Sequence, residues 1–308
     1  MRAYVGVTDA NWASFLASRP ALTEVNFWKP GGQGFKALAI GEPFAFKTHH
    51  PHNQVVGVGF FAGSAVMKVS EAWRFFGEGN GVASQAEMRK RIAYYRPARV
   101  DEVDPEIGCV MLRDVAFLTA SAQLPPPSDW SSNIVQGKSY PVEGSSIEGL
   151  LQELMLRTEG TLDATGAVPG AVFGDPRLAR NRLGQGSFKA MVLQAYRRRC
   201  ATQDKFVPVL QASHIRLVSQ EGENRLDNGI LLRSDVHTLF DEGYIGLDNR
   251  YRLRVSPALR SEFGNGEEFY SLAGLPVAIP ERRADRPAPE FLEWHSDVVY
   301  RSAWPTPP

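Results

Sequence analysis

The chain has 308 residues, of which 43% are hydrophobic and 22% charged. That is enough apolar material for a buried core and too much for wholesale disorder. Lys+Arg 34 balance Asp+Glu 34, so the formal net charge of +0 excludes a uniformly basic nucleic-acid coat but not a local basic patch. A chain of this length suits two domains of ordinary size. No run of about 18 apolar residues occurs, so no membrane span is expected. The start MRAYVGVTDANW lacks the apolar centre of an export signal, and a cytoplasmic location is expected. Two cysteines, Cys109 and Cys200, can build neither a disulfide framework nor a four-thiolate zinc site.

In chain order, YVGV reads as a short apolar strand. FAFK and VVGVGFFAGSAVM are rich in Val and Phe, bounded by Gly and Pro, and read as strands of a compact sheet. Gly57, Gly59 and Gly63 suggest bulges or bends, as in a curved sheet or small barrel. SEAWRFFGEGNG reads as a helix opened by Ser70 and closed by Gly77. SQAEMRKRIAYYR reads as another, with Ser84 as N-cap and Glu87 completing a capping box. CVMLRDVAFL is a further strand, PPPSDW breaks the pattern, and SIEGLLQELMLR is an amphipathic helix. TEGTLDATGAVPGAVFGDPR, rich in Gly, Ala, Thr and Pro, reads as a linker. These signals divide the chain into a first domain at 1–155, a linker at 156–174 and a second domain at 175–308. The second runs helix (PRLARNRLGQGSFKAMVLQAYRRR), strand (VPVLQASHI), loop, helix (SDVHTLFDEG) and strand (YRLRVS), with a Pro-rich tail at 280–308 that wraps the surface. The class is α+β.

Charge is spread unevenly. Residues 175–260 hold 15 Lys/Arg against 9 Asp/Glu, and 141–174 and 261–308 are acidic. The basic block includes Arg177, Arg180, Arg182, Lys189, Arg197, Arg198 and Arg199. It reads either as a site for a polyanion or as the solvated face of a helix.

The stretch QASHIRLVSQEGENRLDNGILLRSDVHTLFDEGYI carries the chemistry. His214, Asn228 and His237 lie 14 and then 9 residues apart. His237 and Asp241, spaced i, i+4, share one face of a helix. With SHI, DNGILLR and DVHTLFD in this order, the stretch resembles the HNH (ββα-metal) nuclease family. The resemblance covers roughly 177–256, with RLGQGSFKAMVLQAYRRRC similar to that family's lead-in. Phosphodiester hydrolysis needs an activated water and a cation beside the phosphate. A strand histidine can take the water proton near neutral pH. The resemblance implies His214 as general base, Asn228 as the orienting residue and His237 as a metal ligand, with Asp241 fitting a second ligand. It also implies one divalent ion, Mg²⁺ or Mn²⁺, with Ni²⁺, Co²⁺ or Zn²⁺ compatible with a histidine ligand. The family often has an acidic residue or histidine just before the first histidine. Here that position is Ser213, a poor ligand, with Gln211 two residues earlier as a weak substitute. Arg216 and Arg233 read either as phosphate contacts or as ordinary surface arginines. The structural zinc of some HNH domains has no CxxC pairs to hold it here.

In the first domain, YVGVTDANW, VNFWKP, IGEPFAFKTHH and VVGVGFF are similar to the PUA-like superfamily, with its SRA, EVE and YTH branches. There a small curved sheet holds a modified base. A PUA-like front with an HNH back resembles modification-dependent (type IV) restriction endonucleases. That resemblance implies double-stranded DNA carrying 5-methylcytosine or 5-hydroxymethylcytosine as partner. The modified base would be flipped into a pocket of flat rings and polar groups. Asn26, Phe27, Trp28, Phe46, His49 and Trp130 are the candidate pocket residues, each also readable as a core or surface side chain. HHPHN at 49–53 reads as a loop at the duplex surface. One HNH site cuts one strand, so a double-strand break implies a homodimer or two bound copies. Two alternatives stay open: a modified-DNA reader whose HNH fold no longer cuts, and an HNH nuclease acting on RNA or on DNA without regard to modification.

Overall fold

Two short strands whose side chains alternate between faces organise the first half of the chain. The computed structural model describes residues 1–32, 34–96, 102–164, 184–203 and 208–302, with backbone alone for 159–164. The chain divides into two units, Met1–Ser187 and Phe188–Pro308.

The first unit is built on β1 (Arg2–Thr8), β2 (Glu24–Lys29), β3 (Pro43–Thr48), β4 (Val55–Lys68), β5 (Glu106–Phe117) and β6 (Gly137–Pro141). The order is β2-β5-β4-β3-β1-β6; β1 and β3 pair in parallel and the other pairs are antiparallel. Tyr4, Phe44 and Phe46 fall in one core with Phe27, Phe61 and Trp12 of α1 (Ala10–Ala17). Ala3, Val5 and Ala45, one step along the same strands, fall in another with Ile147, Leu151 and Leu154 of α4 (Ser146–Ala164). Both faces are covered, so β3 is buried at every position rather than at alternate ones.

The register of β4 against β5 shifts between Val58 and Phe60 and again between Phe61 and Gly63. Gly59 lies in the first irregularity, where a Cβ would stand 2.7 Å from Val115 Cγ1. Glycine there admits the close approach that bends the strand. The ladder is open: β2 and β6 are its edges, so the sheet is not a closed barrel.

Helix α2 (Val69–Phe76) begins two residues earlier than Ser70 suggests. Lys68 is its N-cap, and Ser70 instead binds Asp104, its N–H to Oδ1 at 2.9 Å and its hydroxyl to Oδ2 at 2.7 Å. Gly77 closes it at φ +48°. Helix α3 (Gln85–Tyr95) has Ser84 as its cap, accepting from the Glu87 N–H at 3.2 Å. Helix α4 runs on to Ala164, so 156–164 are helical rather than linker. Ile147, Leu151 and Leu154 bury its apolar face against the sheet. The rest of the expected linker, 165–174, lies outside the described residues, as do Arg177, Arg180 and Arg182.

The second unit has α5 (Gln185–Ala195) at its start, then the hairpin β7 (Leu210–His214) and β8 (Gly229–Arg233), running straight into α6 (Ser234–Asp241). A second hairpin, β9 (Ile245–Leu247) and β10 (Leu253–Val255), and the helices α7 (Pro257–Phe263), α8 (Glu267–Tyr270) and α9 (Pro289–Trp294) follow. The basic helix expected through residue 199 stops at Ala195; Arg197 and Arg198 stand at φ 50° and 59° in a turn. The tail is part of the core, with Phe291 and Leu292 buried. Among the described residues no helix is long and apolar enough to cross a membrane.

Phe46 has no exposed surface and packs among Trp12, Phe44 and Phe117. Phe46→Ala is expected to cost about 3–5 kcal/mol in denaturant unfolding; an unchanged midpoint would take Phe46 out of the core. His295 is 3% exposed, stacks on Phe240 and bonds its carbonyl at 3.0 Å through Nε2. Burial holds this imidazole below its ordinary 6.5. As pH falls through 6.5, the unfolded chain binds a proton that the folded unit refuses, so stability declines with acidity until the folded group titrates. His295→Gln is expected to flatten the fall in melting temperature between pH 7 and 5; an equal slope in both proteins would assign it elsewhere.

Candidate active site and candidate base cavity

The β7–β8 hairpin and α6 form a ββα unit. Gln211 and Ser213, alternate residues on β7, both reach α6. Gln211 Oε1 lies 2.6 Å from His237 Nδ1, and the Ser213 hydroxyl lies 3.2 Å from the His214 carbonyl and 3.4 Å from Asp241 Oδ1. One turn along α6, His237 Nε2 and Asp241 Oδ2 are 3.1 Å apart. An amide oxygen can only accept, so the Gln211 contact keeps the proton of the neutral ring on Nδ1. Nε2 then turns a lone pair toward the carboxylate, and two such donors at this distance are satisfied by a cation or a proton between them. Gln211 is therefore not a substitute ligand; it orients the histidine from behind. Ser213 is 1% exposed. Among the described residues no group of three or more His, Cys, Asp and Glu is gathered for a metal. One imidazole, one carboxylate and a neighbouring hydroxyl nonetheless suit a single divalent ion completed by water.

His214 ends β7. Its ring stacks on Phe188 of α5, centroids 3.9 Å apart at 9°, and its Nε2 lies 2.8 Å from Asn224 Oδ1. Burial lowers its pKa most; the Asn224 bond and Asp241 raise it, while Lys189 and His237 lower it further. The ring is thus biased toward the neutral form that can take a proton. Asn228 is wholly buried. Its Oδ1 accepts the Arg216 N–H, and its Nδ2 donates to the carbonyls of Arg216 and Glu223, all at 2.9 Å. It therefore cross-braces the loop that leaves His214. Gly229 follows, where a Cβ would meet Val192 Cγ2 at 2.5 Å. Only glycine lets the strand start against α5.

Arg233 is no free phosphate contact. Its guanidinium binds Asp235 through two nitrogens and Gln203 at 2.7 Å, since Asp235 opens α6 beside it. Arg216 binds the Gln220 carbonyl at 2.7 Å and Glu221 at 3.0 Å, 5.5 Å above the Trp294 ring. Among the described residues its Nη1 has no hydrogen-bond partner.

In the first unit a cavity of about 510 Å³ is lined by Phe27, Trp28, Lys29, His49, Asp9 and Tyr95, among others. Three of the six expected pocket residues are thus brought together: Phe27, Trp28 and His49. The other three are not. Phe46 is core. Asn26 is fully buried behind the wall, its Nδ2 donating to Asn80 Oδ1 at 2.9 Å and to Cys109 Sγ at 3.3 Å. Trp130 packs on the α4 side, with Lys47 Nζ 5.0 Å over its ring. The indole N–H groups of Trp12 and Trp28 both donate to the Asn80 carbonyl, at 3.0 and 2.9 Å. Lys29 lies 5.1 Å over Phe35, and burial depresses its pKa. Asp9, Lys29 and Tyr95 are absent from the sequence-based set. Asp9 carries only an N-cap signal, accepting from Asn11 at 2.7 Å. A second cleft, of about 570 Å³, lies at the β9–β10 turn between Arg250, Arg252 and Arg254 and the acids Glu293 and Asp297.

Comparison with known proteins adds the family. Crystal structures of an ASCH protein from Zymomonas mobilis are similar to the front half, one at 10% identity and TM-score 0.35, covering 49% of this chain and 94% of that one. The modification-dependent TagI restriction endonuclease is similar over 92% of this chain and 78% of its own, at 10% identity and TM-score 0.30. The phosphorothioation-dependent type IV endonuclease ScoMcrA is similar over 77% of this chain and 52% of its own, at 13% identity and TM-score 0.21. No curated protein matches the sequence. Residues 198–248, which hold His214, Asn228, His237 and Asp241, match the HNH endonuclease family, and the chain therefore carries an HNH endonuclease domain.

Proposed function

We propose that this protein is a modification-dependent DNA endonuclease. The first unit takes a flipped 5-methylcytosine or 5-hydroxymethylcytosine into the cavity walled by Phe27, Trp28 and His49. The HNH domain hydrolyses a phosphodiester bond nearby. The observation that carries the nuclease reading is the meeting of His237 and Asp241 on α6, 3.1 Å apart, beside a β7 that ends in a buried-biased, neutral-leaning His214. The cavity supports the reader: it joins flat rings to polar groups, and flipping, at a few kcal/mol, needs both.

In this mechanism His214 takes the proton of the attacking water. Asn228 keeps the loop braced so that the histidine does not drift. His237 and Asp241 hold one divalent ion, Mg²⁺ or Mn²⁺, with Gln211 orienting the imidazole and Ser213 beside the carboxylate. That ion, when bound, supplies Lewis-acid stabilisation of the phosphate charge. Arg216, through its remaining Nη1, meets a phosphate oxygen. Each copy cuts one strand, and a double-strand break uses a homodimer. Ser213, where a stronger ligand would serve a metal better, favours one second reading: a modified-DNA reader that does not cut.

The test is cleavage of one duplex prepared with cytosine, 5-methylcytosine or 5-hydroxymethylcytosine, with Mn²⁺ or with EDTA. Cutting of modified duplexes only, and only with metal, is expected. Metal-dependent cutting of all three would leave the nuclease and remove the reader; tight modified-DNA binding without cutting would favour the second reading. His214→Ala is expected to lower kcat by about 10²-fold or more while sparing modified-DNA binding, and retained cleavage would sink the general-base role. Trp28→Ala is expected to erode the preference for modified DNA with metal dependence unchanged; an unaltered preference would take Trp28 out of the pocket.

A further inference from the structure

Asn224 lies in the loop between β7 and β8, ten residues after His214. Its carboxamide Oδ1 stands 2.8 Å from His214 Nε2, the one hydrogen bond of this side chain among the described residues. An amide oxygen only accepts, so Nε2 is the nitrogen that carries the proton. The lone pair of the neutral ring is then on Nδ1, which has no protein partner among the described residues.

The surroundings make this contact a fixture. Phe188 stacks on the imidazole at 3.9 Å between centroids, which sets its plane. Asn228 Nδ2 holds the carbonyl of Glu223, the residue before Asn224, at 2.9 Å, which sets the height of the loop. The other groups acting on the ring are Asp241 and His237 on α6 and Lys189 on α5, and none of them is hydrogen-bonded to it. Among the described residues the acceptor behind the imidazole is Asn224 alone.

We infer that Asn224 is a positioning residue of the hydrolytic site: it fixes His214 as the Nε2–H tautomer, so that Nδ1 is the atom that takes the water proton. The inference rests on His214 being the general base. The arrangement has the logic of a catalytic triad, in which a third group behind the histidine selects the tautomer and the wrong tautomer is inactive. A neutral amide does this without adding charge beside the phosphate.

The test pairs kinetics with nitrogen-15 NMR of the His214 ring in the full-length protein. The wild type is expected to show the Nε2–H tautomer. Asn224→Leu removes the acceptor from a half-exposed loop position and is expected to show both tautomers. Its kcat should fall about 10- to 100-fold, with KM near the wild-type value. Asn224→Asp keeps an acceptor and should recover most of the loss. A wild-type ring protonated on Nδ1, or a Leu variant with unchanged kcat, overturns the inference while leaving His214 as base. Cleavage that survives His214→Ala overturns both, and the His214→Ala control tells the two failures apart.

Discussion

A single buried carboxamide sets the geometry of the nuclease domain. Asn228 uses both ends of its amide on the main chain, and its own backbone closes the same ring: Ile215 donates to its carbonyl at 2.9 Å and it donates to Arg225 at 3.1 Å. The loop between β7 and β8 is polar and has little apolar surface to bury, so it cannot hold a shape by packing. Without the brace, the end of β7 would carry His214 on a mobile hinge. Removing this side chain would leave buried main-chain groups unpaired, a loss of about 1–3 kcal/mol for each. Everything chemical in the site is downstream of that rigidity, including the stacking of His214 on Phe188 and the reach of Asn224.

The first unit solves the same problem with a different polar hub. Asn80 accepts both indole N–H groups on its carbonyl, while its side chain ties Asn26 to the main chain of α2 through Ala72 and Gly77. Two large aromatic rings are thereby anchored at their N–H edges by polar contacts as well as by packing, and both border the cavity. Cys109, beside this hub, is buried, and its thiol is pushed up to about 12. It behaves as a small apolar side chain rather than a nucleophile.

What could be read from the residues follows from how strongly local chemistry constrains them. Four of the six strands of the first unit, β1, β3, β4 and β5, were legible because β-branched and aromatic runs between Gly and Pro have few other fates; the edge strands β2 and β6 were not read. The HNH segment was legible because histidine, asparagine and histidine stand in that order and spacing, and the family match at 198–248 spans them. Pocket membership was not. When both faces of a sheet are covered, Phe46 and Phe27 look alike in sequence, and only the third dimension shows that one is sealed and the other meets a cavity. The length of α4 was hidden by its Thr and Gly content. Arg233 read as available because its partner Asp235 belongs to the first turn of the next helix. Asn224 sits in a loop of small polar residues where no periodicity distinguishes it from its neighbours.

Ser213 has a consequence for charge. The proposed ligand pair, one imidazole and one carboxylate, carries a single acidic side chain, where an acidic residue at 213 would make two. A dication on this pair keeps a net charge of one beyond what the protein compensates. That surplus weakens the protein's own hold on the ion, because attraction between opposite charges in a half-buried site is worth several kcal/mol, of order 4 at an effective dielectric near 20. The same surplus faces the phosphate, whose negative charge grows along the reaction. On the proposed reading, the departure from the family pattern would exchange resident metal affinity for pull on the substrate.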